Sequence, residues 1–189
     1  MRKGTATKEL IDRTALKLFA EKGIKETTIR DIASAARIAE GTMYRHYKSK
    51  DDLAWSLFHE SLIELGRELR EIADKHTATR AKLEAMVRYF CQAYERDEDR
   101  FTYLFLARHG HMQRMSPREP NPYLVFERVI RRGMIEGEIA KGDPDVAASM
   151  VMGVILQVID SKILSGRIRQ SIASLADTIV AGCLRVLYA

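Results

Sequence analysis

The residues whose types and spacing could do chemistry lie between 40 and 50. Thr42, Tyr44, Arg45 and His46 fall on one short helical pattern, with Lys48 and Lys50 just after it. Polar, aromatic and basic side chains on so short a helix suit the floor of a DNA major groove, where base edges and flanking phosphates offer hydrogen-bond partners and negative charge. Arg45 could donate two hydrogen bonds to one guanine, the commonest base-specific contact. Glu40 runs against this trend, because phosphates repel a carboxylate. Either it accepts from cytosine N4 or it favours the start of its own helix through the dipole, and the second reading fits better. The bland alternative is an amphipathic turn with an exposed basic edge. Against it stands a helix too short to be stable alone, presented by another helix immediately before it.

A second cluster, His109-Gly110-His111 with Met112 and Met115 nearby, carries donors that a soft metal could use. No cysteine or carboxylate stands close by in ligand spacing, so exposed or pocket-edge histidines are the preferred reading and no metal is expected. No Gly-rich phosphate loop, nucleophile elbow or paired-carboxylate constellation is visible. The sequence therefore predicts neither an enzyme nor a cofactor.

The groove-facing set needs elements to position it. Leu10, Ile11, Ala15, Leu18 and Phe19 recur at helical spacing, and Gly23 stops that helix with Ile24 behind it. Thr28 and Asp31 have the spacing of a capping box, which starts a second helix at Ile29. Ile32, Ala33 and Ala36 face inward, and small Ala33 lets two helices cross closely. A turn, Arg37-Ile38-Ala39, leads to the short helix, where Met43 and Tyr47 are core anchors. Ser49-Lys50-Asp51-Asp52 then opens a fourth helix running to about Ala73, a natural bridge between two halves.

Further along, Leu83, Met86, Val87, Phe90, Cys91 and Tyr94 form one stripe, and Phe101, Leu104 and Phe105 begin another. Pro117, Pro120 and Pro122 break the chain before a helix carrying Phe126, Val129 and Ile130. Asp143-Pro144 starts a helix to about Leu164 that is apolar nearly all round, and a last helix spans Ile172 to Leu187. No long strand-like alternation appears. The fold class predicted is all-α, with a DNA-binding head at 1–48 and a helical ligand-binding and dimerisation domain at 49–189.

Charge supports this division. The chain carries a net +5, but residues 1–50 hold 12 Lys/Arg against 6 Asp/Glu, so the head is at +6 and the rest at −1. A polyanionic partner for the head follows. Cys91 and Cys183 lie far apart in apolar patterns, as buried thiols of a reducing compartment do. The N-terminus MRKGTATKEL has no apolar signal region. The most apolar run, Met150–Ile159, is too short to span a bilayer. A cytoplasmic protein, nucleoid-associated through DNA, is expected.

From Leu18 to Leu53, LFAEKGIKETTIRDIASAARIAEGTMYRHYKSKDDL resembles the tetracycline-repressor (TetR) family of bacterial transcriptional regulators in order and spacing. The rest of the chain matches only in helical pattern and length. The resemblance implies a DNA-binding set of Thr28, Arg30, Glu40, Gly41, Thr42, Tyr44, Arg45, His46, Lys48 and Lys50. Two positions depart from the family: glycine is usual where Arg37 stands, and a serine or threonine cap where Ala39 stands. A slightly strained turn of normal shape is the expectation.

The resemblance also implies an effector pocket in the C-terminal domain, for which Tyr94, Phe101, Tyr103, Phe105, His109, Phe126 and Gln157 are candidates. A homodimer interface is expected around Val154, Ile155, Val158, Leu175, Ile179 and Cys183. The function implied is a homodimeric regulator, a repressor released from a palindromic double-stranded DNA operator by a small apolar or aromatic effector. Two other readings stay open: a helical small-molecule-binding protein or enzyme with a non-functional head, and a non-specific architectural DNA binder.

Overall fold

The structure, a computed structural model, describes residues 2–116 and 119–188. Among these residues the chain is helical: α1 (Arg2–Glu26), α2 (Ile29–Ala35), α3 (Glu40–Met43), α4 (Lys50–Asp74), α5 (Thr79–Arg96), α6 (Glu98–His111), α7 (Pro122–Glu136), α8 (Pro144–Ile163) and α9 (Ala176–Leu187). Single 3-10 turns at Met112–Arg114 and Ala173–Leu175 complete it. The last predicted helix therefore begins with a 3-10 turn rather than at Ile172. Pro117 of the proline cluster lies outside the described residues.

Contacts divide the chain into two compact units, 1–61 with 98–117 and 62–97 with 118–189. In the first unit α6 packs against α1. This unit thus holds more chain than a head ending at residue 48. Ile11, Ala15 and Phe19 of α1, Ile32 of α2, and Leu53, Ala54 and Phe58 of α4 are essentially inaccessible to solvent. Tyr103 of α6 stacks on Phe19 with ring centroids 5.6 Å apart. Leu10, expected in this stripe, is instead exposed, since α1's buried line runs through Ile11, Ala15 and Phe19.

In the second unit α5 packs on α9 and α7, and α8 packs on α7 and α9. Several helix starts are capped as the sequence predicts: Asp143 accepts from Asp145 and Val146 ahead of Pro144. Others are capped by distant residues. Ala78 offers α5 no side-chain cap, and Glu138 supplies it by accepting from the Thr79 amide at 2.8 Å. Gly66 of α4 is a close-crossing site: a Cβ there would stand 2.8–3.0 Å from the backbone of Asn121, the α7 cap residue.

An 18-residue stretch of α8 has a mean hydropathy of 1.6, so the helix is long and apolar enough to cross a membrane, unlike the ten-residue run read from sequence. Ala148, Val151, Met152, Ile155 and Ile159 bury one side of it. Val146 and Met150 remain half exposed.

Candidate nucleic-acid interface

The turn between α2 and α3 follows from its hydrogen bonds. The Arg37 amide donates to Ser34 and the Ile38 amide to Ala33, at 3.1 and 3.0 Å. This six-to-one and five-to-two pair is a Schellman ending, which needs a left-handed residue at its centre. Arg37 is that residue, with φ of 55°, the positive φ of a non-glycine residue that the sequence led one to expect. Ala39 caps α3 in an extended conformation with no side-chain hydrogen bond. Glu40 opens α3, where the dipole reading places it.

At α2 the capping box is complete. Thr28 accepts from the Asp31 amide at 3.1 Å, and the Asp31 carboxylate accepts from the Thr28 amide at 2.8 Å. The Thr28 hydroxyl also donates to that carboxylate, so it is occupied by the cap. These bonds from Thr28 hold the Asp31 carboxyl below its usual pKa.

In α3 and the residues that follow it, the side chains sort into buried and exposed sets. Met43 and Tyr47 are buried, while Tyr44 between them is 58% exposed. Arg30, Glu40, Gly41, Arg45 and Lys48 are exposed, and Thr42 and His46 are half-buried. Tyr47 is the anchor: its hydroxyl donates to Asp12 of α1 at 2.5 Å, and Lys8 bonds the same carboxylate at 2.9 Å and Glu60 of α4 at 3.3 Å. Burial and the Asp12 carboxylate push the Tyr47 phenol up, which keeps it a donor. No spacing in the sequence ties Lys8, Asp12 and Glu60 to Tyr47, so this network was not legible there.

Lys50 is placed differently from the DNA-contacting role implied for it. Its ammonium donates to the carbonyls of Ile24, Lys25 and Thr27 at 2.7, 3.2 and 2.7 Å. An ammonium has three protons and all three are used. The cause is local: α1 breaks at Gly23, with φ of 83° and ψ of 160°, and turns several carbonyls outward at its end. Thr27, fully buried, closes the same junction by donating to the Gly23 carbonyl at 2.8 Å.

Of the effector candidates, Phe101, Tyr103, Phe105 and His109 fall in the first unit and Tyr94, Phe126 and Gln157 in the second. Two of them are not placed to offer polar contacts in a pocket. The Tyr103 hydroxyl is buried and donates to the Ala54 carbonyl. Gln157 lies exposed on α8 and donates to Asp160 at 3.0 Å. Of the dimer candidates, Ile155, Ile179 and Cys183 are at most 3% exposed, buried in the chain's own core, whereas Val154, Val158 and Leu175 are half-buried. On α8 the placement has a physical source: a helix apolar nearly all round carries few polar marks to tell its inner stripe from its outer one.

His111 is buried against Phe58 and Trp55, with ring centroids 5.3 and 5.9 Å away, and its Nε2 has no hydrogen-bond partner among the described residues. Burial pushes its pKa below the usual histidine value; Arg114 adds to this and Asp51 opposes it. Arg114 lies 4.4 Å over the Trp55 ring and pairs with Asp51 at 3.1 Å. Among the described residues no group of three or more His, Cys, Asp or Glu is placed to hold a metal ion.

A capped α2, a Schellman turn and a short α3, followed by an exposed aromatic and basic turn, form a helix-turn-helix. Residues 11–57 match the family described as bacterial regulatory proteins, tetR family. Over these residues the chain is similar to the TetR family. It is similar to the HTH-type transcriptional repressor KstR2 of Rhodococcus jostii (strain RHA1), 43% identical over 79 residues, covering 42% of this chain and 38% of that protein. The chain thus spans about two fifths of the length of the curated relatives it matches there. The fatty acid metabolism regulator protein of Bacillus subtilis (strain 168) is 25% identical over 177 residues, 91% of this chain and 90% of that protein. The structure of the regulator FadR from Bacillus subtilis in complex with stearoyl-CoA shares the fold, with a TM-score of 0.77 at 18% identity over 95% of this chain and 99% of that one.

Proposed function

We propose that this protein is a homodimeric transcriptional repressor that binds a palindromic operator through α3 and releases it when a small apolar effector binds the helical domain, in the cytoplasm. The observation that carries the reading is the exposed Tyr44 and Arg45 in the turn that ends α3, held out by buried Met43 and Tyr47. An exposed aromatic ring beside cationic groups can meet base edges and phosphates together. Dimerisation is supported by the outer face of α8, where Val146, Met150, Gly153 and Leu164 are exposed. A symmetry mate would cover it, and bundles of paired helices are a common solution. An effector with a large apolar part is supported by structural neighbours: FadR was solved with stearoyl-CoA, which joins a long acyl chain to charged coenzyme A, and SmeT with triclosan.

The reading is tested by binding of labelled duplex DNA to the full chain as salt rises. If Arg30, Arg37 and Lys48 of each subunit reach phosphates, a dimer neutralises about six, for a slope near −5. Affinity should then fall about a thousandfold between roughly 50 and 200 mM salt. Sedimentation should give a dimer at micromolar concentration. A monomer with salt-independent binding would overturn the proposal. Trp55 emission gives a further readout for effectors, since the ring lies tilted against His59 with centroids 5.2 Å apart and lies under Arg114.

A further inference from the structure

The regular ladder of α3 ends at Met43. Beyond it the chain closes in a tighter pattern, with the Arg45 amide donating to Thr42 at 3.3 Å and the His46 amide to Met43 at 2.9 Å. Such i to i+3 turns have three residues per turn, so side chains three apart stand over one another. Thr42 and Arg45 are such a pair, and Arg45 Nη2 donates to Thr42 Oγ1 at 3.1 Å. Threonine is β-branched and restricted at χ1, so this acceptor has few positions under an otherwise mobile guanidinium.

We infer that Thr42 is a positioning residue whose hydroxyl aims Arg45 at guanine and so sets base preference at one position of each half-site. The inference rests on the DNA-binding reading above. A guanidinium has five N–H groups; one spent on Thr42 leaves four, enough for a fork onto guanine O6 and N7. Because Thr42 accepts, its own O–H stays free to donate elsewhere. Holding Arg45 before DNA arrives removes part of the ordering cost that binding otherwise meets. Thr42 carries no charge, so its influence belongs in base preference and not in salt dependence.

The test compares the sequence preference of the full chain and its variants in a pool of randomised duplexes, sequencing bound and unbound fractions. Wild type should enrich guanine at one position per half-site. Thr42→Ser, which keeps the acceptor, should retain that preference. Thr42→Val, of similar shape without the acceptor, should reduce it about threefold to tenfold with an unchanged salt slope. In an Arg45→Ala background, adding Thr42→Val should change nothing further at that position. Circular dichroism confirms that each variant folds, and Thr42→Ser controls for packing. The inference is overturned if Thr42→Val keeps full guanine preference, if it weakens every sequence alike, or if its effect persists without Arg45. A wild type that enriches no sequence overturns the DNA-binding reading itself, a result distinct from the other three.

Discussion

The turn between α2 and α3 should be improvable at two positions, each for a reason visible in its geometry. Arg37 sits at φ 55°, and a left-handed conformation costs a non-glycine residue about 1–2 kcal/mol. Arg37→Gly removes that cost but loosens the unfolded chain, at about 0.4–1 kcal/mol. The net gain is therefore about 0.5–1 kcal/mol. Arg37→Asn tolerates the same conformation without the unfolded-state loss and should do at least as well. Ala39 already has the extended φ of −72° and ψ of 145° of a cap residue and lacks only an acceptor. Ala39→Ser supplies one, for about 1 kcal/mol. In a chain of this size each kcal/mol is about 2–4 °C in Tm. The double variant should therefore melt about 3–8 °C higher, less any coupling between two residues of one turn. Thermal unfolding followed by far-UV circular dichroism, at one fixed protein concentration, measures this. DNA affinity should stay level for Ala39→Ser; for Arg37→Gly the salt slope reports whether the guanidinium reached a phosphate. The reasoning is refuted if Arg37→Gly and Arg37→Asn both lower Tm, because the positive φ would then not be a source of strain.

Lys50→Ala should leave the salt slope of DNA binding unchanged but cost about 1.5–3 kcal/mol of stability, since it strips charged donors from the end of α1; a slope lower by about one with unchanged Tm would return Lys50 to the phosphates. Met150→Glu, on the half-exposed face of α8, should give folded monomers that no longer bind operator. Ile155→Glu, at 0% exposure, should fail to fold because it buries an unpaired charge; a dimeric Met150→Glu protein in sedimentation contradicts the interface. Gly66→Ala should lower Tm by several degrees, because its new Cβ meets Asn121 backbone rather than a yielding side chain; an unchanged melt would count against the close crossing. His111 has a folded pKa depressed below its unfolded value, so the unfolded chain binds the proton more readily. Stability should therefore fall as pH drops below about 6.5, and His111→Phe should flatten that limb in urea titrations repeated across pH.

How much of this was legible in the sequence depends on how local each cause is. Caps at Thr28, Ser49 and Asp143 and the break at Gly23 follow from a few neighbouring residues, the positive φ at Arg37 follows from the family resemblance, and each appears where it was expected. Buried Met43 and Tyr47 followed from periodicity within one turn. Lys50 failed because its partners lie 23 to 26 residues away, at carbonyls that no side-chain pattern reports. That Ile155 lies in the chain's own core was not legible, because α8 is too uniformly apolar for composition to separate a core face from a partner face. Ile179 and Cys183 lie on the single apolar stripe of α9, which the chain's own core takes up. Gly66 and Glu138 act across tertiary contacts and left no local signal at all.

The central claim is that α3 reads DNA sequence from a two-fold dimer, and selection of bound duplexes from a fully randomised pool tests it most directly. The account predicts enrichment of a pseudo-palindrome whose half-sites are centred about one helical turn, or a multiple of it, apart. It also predicts that Arg45→Ala erases one position in each half. Salt-sensitive binding with no enriched sequence, or an enriched site without two-fold symmetry, would contradict it.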